Sequence, residues 1–279
     1  MSGPATPDNR AEMLRAATWL AENARTPDGH GQTSDLSIDE ALLLHSASWE
    51  PIDLVFGVGC QSIQAGAWVW GRGEIHSASD AQNAAVHGAS ARIAKECARV
   101  GGHGVVGVHL EMRMQSRHVT VELVGTAIRP VGQAKAPAAP FVSDLSARDF
   151  TLMSSAGWAP VGLSFGAAYI YAPRRDAATA MRQSTQNVEL TNLTEALYAA
   201  RESAMDRMQT SGQVAGAQGI VGVRVSEGPV PFASHVIGFS AWGTAVRLVA
   251  DAHTYIQPQV VLPLDDAVVQ FDAASLRGE

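Results

Sequence analysis

Apolar positions along this chain switch between two periods, and the switches recur in the same order in two stretches. Met13, Leu14, Ala17 and Leu20 fall at helical spacing and predict a helix over residues 11–25, ended by the turn chemistry of Thr26-Pro27-Asp28-Gly29. From residue 34 the pattern changes. Ser37 and Glu40 stand at capping-box spacing and predict a short helix that Pro51 does not allow to continue. The run from Ile52 to Val58 is β-branched and aromatic and predicts a strand. Ala81 to Val100 is alanine-rich with polar punctuation, predicting a long helix that Gly101-Gly102 stops. Two more strands follow, joined by a tight turn near Gln115-Ser116. The second stretch repeats this order. Ser146 and Asp149 take the capping places, Pro160 follows, and Val161 to Ile170 reads as a strand. Leu193, Leu197, Ala200, Ala204, Met208 and Ala215 lie close to one helical face, and Gly216 ends that helix. Two strands joined by the longer loop Gly228-Pro229-Val230-Pro231 close the copy.

The letters repeat as well as the pattern. SDLSIDEALLLHSASWEP at 34–51 returns as SDLSARDFTLMSSAGWAP at 143–160, an offset of 109. GGHGVVGV at 101–108 returns as GAQGIVGV at 216–223, offset 115, and GTAIR at 125–129 returns as GTAVR at 243–247, offset 118. Three blocks in one order, with offsets that grow by a few residues, describe one unit duplicated and then altered by short loop insertions. A period this long exceeds any solenoid unit, so each copy can hold its own core. The expected organisation is an N-terminal accessory helix and linker over 1–33, a first domain over 34–130, a Pro/Ala-rich linker over 131–142, a second domain over 143–249 and a C-terminal extension over 250–279. The fold class is α+β: two tandem small domains, each a helix packed on a short antiparallel sheet, in helix-strand-helix-strand-strand order.

Composition narrows the function. Net charge is −7 with no dense Lys/Arg block, which argues against nucleic acid as a partner. Cys60 and Cys97 form neither a CxxC pair nor a secreted-type framework, which fits a reducing cytoplasm. No signal-peptide pattern and no apolar stretch of membrane-spanning length is present.

The second copy, with ALYAARESAMDRMQ leading through GAQGIVGV to HVIGFSAWGTAV, resembles the YbjQ-like family, whose usual label is heavy-metal-binding domain. The matching positions are Ala200-Arg201-Glu202, Gly216 to Val223 and Gly243 to Val246. The first copy keeps the last two blocks but carries Val86 and His87 in place of Arg-Glu. The resemblance implies a dodecin-subunit-like α+β domain and, since single-domain members form pentameric rings, a homo-oligomer for which a pentameric ring is the expectation, as one ring of pseudo-repeated subunits or two stacked rings.

The residues themselves offer one candidate site. With Gln115-Ser116 as a two-residue turn, paired positions in the first hairpin sum to 231, so His109 meets Glu122, Glu111 meets Thr120 and Arg113 meets His118. His109, Glu111, His118 and Glu122 then share one face, and imidazole with carboxylate suits a divalent transition metal. A solvated face with cross-strand ion pairs is the competing reading. The second copy has Arg224 where the first has His109. Gly104, Gly107, Gly219 and Gly222 are expected to let the alanine-rich helices approach the sheet. Cys60 and His103 are weaker ligand candidates, Ser62, Ser154 and Ser155 lack a GxSxG context, and no cofactor fingerprint stands out. The expected function is a non-enzymatic, ring-forming scaffold or ligand-binding protein. A metal-binding or metal-sensing protein is the alternative, and the N-terminal helix is a candidate protein-docking element.

Overall fold

The protein is described by a computed structural model over residues 33–64, 73–115, 117–133, 135, 137–175, 181–182, 187–230, 233–251 and 253. The expected N-terminal helix and most of the C-terminal extension lie outside these residues. The first half comprises α1 (Ile38–Ser46), β1 (Trp49–Ser62), β2 (Gly73–Glu74), α2 (His76–Arg99), β3 (Gly104–Met114) and β4 (His118–Pro130). The second comprises β5 (Phe141–Val142), α3 (Ala147–Ser155), β6 (Trp158–Tyr171), α4 (Thr191–Val214), β7 (Gly219–Val230) and β8 (Ala233–Leu248).

Both short helices start as the sequence dictates. The Ser37 hydroxyl accepts the Glu40 amide while the Glu40 carboxylate accepts the Ser37 amide, and Ser146 accepts the Asp149 amide. The long helices are 24 residues each and start without a side-chain cap, after Ile75 (φ −91°, ψ 79°) and Leu190 (φ −90°, ψ 73°) in matching conformations. Each half builds an antiparallel three-stranded core sheet, β1-β4-β3 and β6-β8-β7.

The halves also exchange strands. β5, which lies within the stretch read from sequence as linker, runs parallel to β3 of the first half, and β2 pairs with β6 of the second. Each sheet therefore has four strands, one of them lent by the other half.

The helices sit close because β1 and β6 carry glycine where they cross. A Cβ on Gly57 or Gly59 would run into the backbone of Ala89 or Ala85, and one on Gly166 into Ala204. These glycines, not those of β3 and β7, permit the close approach. Gly107 and Gly222 instead occupy bulges at φ +65°, and Gly104 leaves room for the Phe141 ring.

Side-chain alternation along β6 then fixes the layer order. Gly166, Ala168 and Ile170 face α4, while Phe165, Ala167 and Tyr169 join the core around α2. α2 also packs on β1 and β4 through Ala85, Ala89 and Ile93. The order through the molecule is the first sheet, α2, the second sheet, α4, with one continuous apolar cluster around α2. A satellite cluster of Leu44, Val106, Ile128, Ala147 and Phe150 joins α1 to α3, with Trp49 edge-on to Phe150 at 5.2 Å.

Candidate assembly face and the polar hairpin

The first hairpin pairs two residues out of the expected register. His109 lies opposite Val124, Glu111 opposite Glu122 and Arg113 opposite Thr120, so paired numbers sum to 233. The reason is the turn: the Gln115 amide donates to the His118 carbonyl at 2.9 Å, so Gln115 belongs to the ladder and the turn falls one residue later than Gln115-Ser116, which moves every pairing sum by two. A shift of two preserves the faces, so His109, Glu111, His118 and Glu122 still share the outer surface of the first sheet. What changes is who meets whom.

Two carboxylates now stand directly opposite, and the Arg113 guanidinium lies 2.8 Å from Glu111 and 3.6 Å from Glu122. The carboxylates raise the Arg113 pKa, Glu111 most, by hydrogen bonding and charge. His109 turns away from them, with Nδ1 3.0 Å from the Gly107 carbonyl and 3.5 Å from the Asp35 carboxylate. His118 pairs with Ser62 at the far end of the sheet. Among the described residues no group of three or more His, Cys, Asp or Glu is gathered closely enough to hold a metal ion. With Arg113 between the two glutamates, this set does not fit a metal within one chain.

The same outer face carries apolar side chains that the sequence reading passed over. Phe56 is 46% exposed and Leu54 36%. In the second half the equivalent of Phe56 is Phe165, which is only 7% exposed because α2 lies over it. Equivalent surfaces thus have opposite fates: α2 covers the second sheet, whereas nothing among the described residues covers the first.

The covered junction is held by polar contacts as well as packing. Gln82 of α2 donates to the Ser240 hydroxyl at 3.1 Å and accepts from the Tyr169 hydroxyl. Asn83 both donates to the Ala167 carbonyl and accepts its amide, closing the exposed edge of β6. Arg207 reaches Glu74 at 2.5 Å, with Glu74 mostly buried. Burial pushes the Glu74 carboxyl up, but the Arg207 and Ser79 hydrogen bonds and the Arg207 and His76 charges outweigh it, leaving its pKa below the ordinary value.

At the other side of the junction the repeated SDLS block locks onto the repeated GTA block. The Asp144 amide and the Asp35 amide each donate to the threonine of their own copy, Thr244 and Thr126, at 3.1 Å. The Thr244 hydroxyl donates to Asp144 at 2.7 Å. Asp144 is buried, and burial raises its pKa against the pull of Thr244 and Arg224. Asp35, His109, Asp144 and Arg224 line a small cavity of about 130 Å³. Asp35 and Asp144 were legible as members of the most faithful repeat, yet sequence alone gave no reason to pair them with threonines 91 and 100 residues away.

Cys60 lies exposed on the outer face, while Cys97 is buried and its thiol is pushed up to about 12 by desolvation. His103 is only partly exposed, with its ring Nε2 buried. No described helix is long and apolar enough to cross a membrane.

Residues 171–249 match the YbjQ family described as "putative heavy-metal-binding". The chain is 35% identical over 249 residues to the encapsulin nanocompartment protein Rv1762c of Mycobacterium tuberculosis (strain ATCC 25618 / H37Rv), an alignment covering 84% of this chain and 92% of that protein. No solved structure matches. With a YbjQ-type second half and a relative aligned along nearly its whole length, the chain belongs to the family of that mycobacterial nanocompartment protein.

Proposed function

We propose that this protein is a non-enzymatic building block of a homo-oligomeric ring. One observation carries the reading: the sheet face buried under α2 in the second half is bare in the first among the described residues, with Leu54 and Phe56 presented to solvent. Among the described residues nothing covers the outward face of α4 either, with Tyr198 58% exposed where α2 has Asn83 against the second sheet. A chain with a free sheet at one end and a free helix at the other is a head-to-tail unit, and such units close into rings or run into filaments.

Because the two copies are side-by-side layers of one chain, a ring of chains contains an even number of copies. A pentamer of chains then has ten, and the copies are neighbours within a ring instead of stacked rings. A relative named for a nanocompartment suits a protein whose work is assembly. The two free cysteines fit a cytoplasmic location, and the acidic charge gives no footprint for nucleic acid.

Light scattering on the wild type and on Phe56→Glu tests this. Phe56 is already exposed in the single chain, so the charge leaves folding intact and is expected to dissociate the assembly. A variant as large as the wild type would remove the sheet face from the interface.

The family description favours a second reading, metal binding at His109, Glu111, His118 and Glu122. It is checked by zinc titration of the wild type and of the His109→Ala, Glu122→Ala double variant. Stoichiometric uptake lost in the variant would establish it; uptake absent or equal in both leaves the face an ion-paired surface.

A further inference from the structure

The junction inside the chain serves as a template for the junction between chains, and it names residues. Offsets of 109, 115 and 118 map each contact of the first half with the second onto a contact of the second half with the first half of a following chain. We infer that the following chain docks its residues 34–36 on the free edge of β7 and its Arg92 against Glu189 of the preceding chain. This rests on the oligomeric reading above and gives that oligomer a specific join.

The strand edge comes first. At the β3 bulge the Gly107 amide donates to the Leu145 carbonyl at 2.8 Å and the Val108 amide to the Ser143 carbonyl at 3.1 Å. The Ser143 amide returns a bond to Val105 at 2.9 Å. This is strand addition by the SDL segment of the second copy. The matching bulge in β7, at Gly222 with the same φ of +65°, has the Leu145 side chain beside it but no segment hydrogen-bonded to its backbone among the described residues. Its consequence shows in burial: Val106 is fully buried, whereas its equivalent Val221 is 39% exposed. The equivalents of Ser143 and Leu145 are Ser34 and Leu36, which sit beside an Asp35 already pinned to its own Thr126. Among the described residues, one chain thus carries both an apolar edge without a hydrogen-bonded strand and a second copy of the segment that covers such an edge.

The short helices repeat the argument. Ala147 of α3 is fully buried against α1 and β3, and its equivalent Ile38 of α1 is 75% exposed. A following chain that seats residues 34–36 on β7 brings its Ile38 to Val221, burying two apolar side chains that the single chain leaves in water.

The charges specify the pairing. Glu74, just before α2, meets Arg207 of α4, whose Nη1 also donates to the Ala167 carbonyl at 2.9 Å. The equivalents are Glu189, just before α4, Arg92 of α2 and Val58. Arg92 Nη1 already donates to the Val58 carbonyl at 2.7 Å, in the same pose as Arg207. Glu189 is exposed, and among the described residues neither it nor Arg92 has a partner of opposite charge. The cation is poised, and the carboxylate that completes it belongs to another copy of the chain.

Charge reversal tests the join by sedimentation velocity across a concentration series. Glu189→Arg and Arg92→Glu each lie on the surface of the single chain and are expected to raise the dissociation constant at least tenfold. The double variant is expected to recover most of the affinity, because the pair is restored with its signs exchanged. Single variants that assemble like the wild type would overturn the join while leaving an oligomer in place. Loss without recovery in the double variant would overturn the pairing of these two residues. A monomeric wild type would remove the oligomeric reading itself, and the join with it.

Discussion

Glu74 and Arg207 meet at 2.5 Å across the boundary between the two copies, one from the short strand lent by the first half and the other from the long helix of the second. Both are largely withdrawn from water, and the guanidinium is fixed by the Ala167 carbonyl. A carboxylate whose folded pKa lies below its ordinary value of 4.5 binds fewer protons folded than unfolded. Its contribution is therefore present above that value and is lost as pH falls through the folded pKa. Glu74→Gln is expected to cost on the order of 1 kcal/mol at pH 7, between an exposed and a buried pair. It should also flatten the acid limb of a stability-against-pH curve measured by urea unfolding. An unchanged acid limb would detach Glu74 from acid stability.

Asp144 carries the opposite sign. Burial raises its pKa, so the folded state binds the extra proton, and stability falls as pH rises through the folded value. Asp144→Asn keeps an acceptor for the Thr244 hydroxyl and removes a buried charge. The variant is expected to be at least as stable as the wild type at pH 7, by thermal unfolding, and to lose this part of the pH dependence. Marked destabilisation at neutral pH would mean that the charge, through Arg224 at 3.9 Å, is needed.

Gly57 and Gly166 hold equivalent positions where a helix backbone crosses a strand, with no space for a methyl group. Alanine at either is expected to cost about 1–3 kcal/mol, since the obstructing atoms are backbone and cannot swing away. Gly162→Ala, with open space at its Cβ, is the control. Equal denaturation midpoints for Gly166→Ala and Gly162→Ala would contradict the close crossing.

Ser48 adopts φ +63°, a left-handed conformation that the second copy assigns to Gly157 at φ +86°. The serine Cβ is strained there and glycine is not, so Ser48→Gly is expected to stabilise by about 1 kcal/mol. Chemical denaturation checks this directly. A destabilised variant would show that the flanking bonds, from the Ser48 amide to His45 and from Val131 to the Ser48 carbonyl, depend on the side chain.

Much of this fold was legible because local signals agree with one another. The Ser37–Glu40 box and the glycines after the long helices mark element ends where the structure shows them, whereas Pro51 and Pro160 lie inside β1 and β6, at a register shift in each, and the strands begin earlier, at Trp49 and Trp158. The turn falls one residue beyond Gln115-Ser116; nothing local distinguishes the two frames, and that single step moves the partner of His109 from Glu122 to Val124. The lent strands β2 and β5 were illegible for a related reason: two residues carry no period, and their pairing is set by the other half. The exposed Phe56 could not be told from a core residue, since its twin Phe165 is one. Periodicity says that a face is apolar; it does not say which chain covers it.

Native mass spectrometry of the untagged protein at micromolar concentration bears most directly on whether the bare sheet of the first half and the bare helix of the second belong together. A closed assembly of several 29.3 kDa chains, sharp in stoichiometry, is the expected result. A single chain at 29.3 kDa, with no larger species as concentration rises, would contradict it.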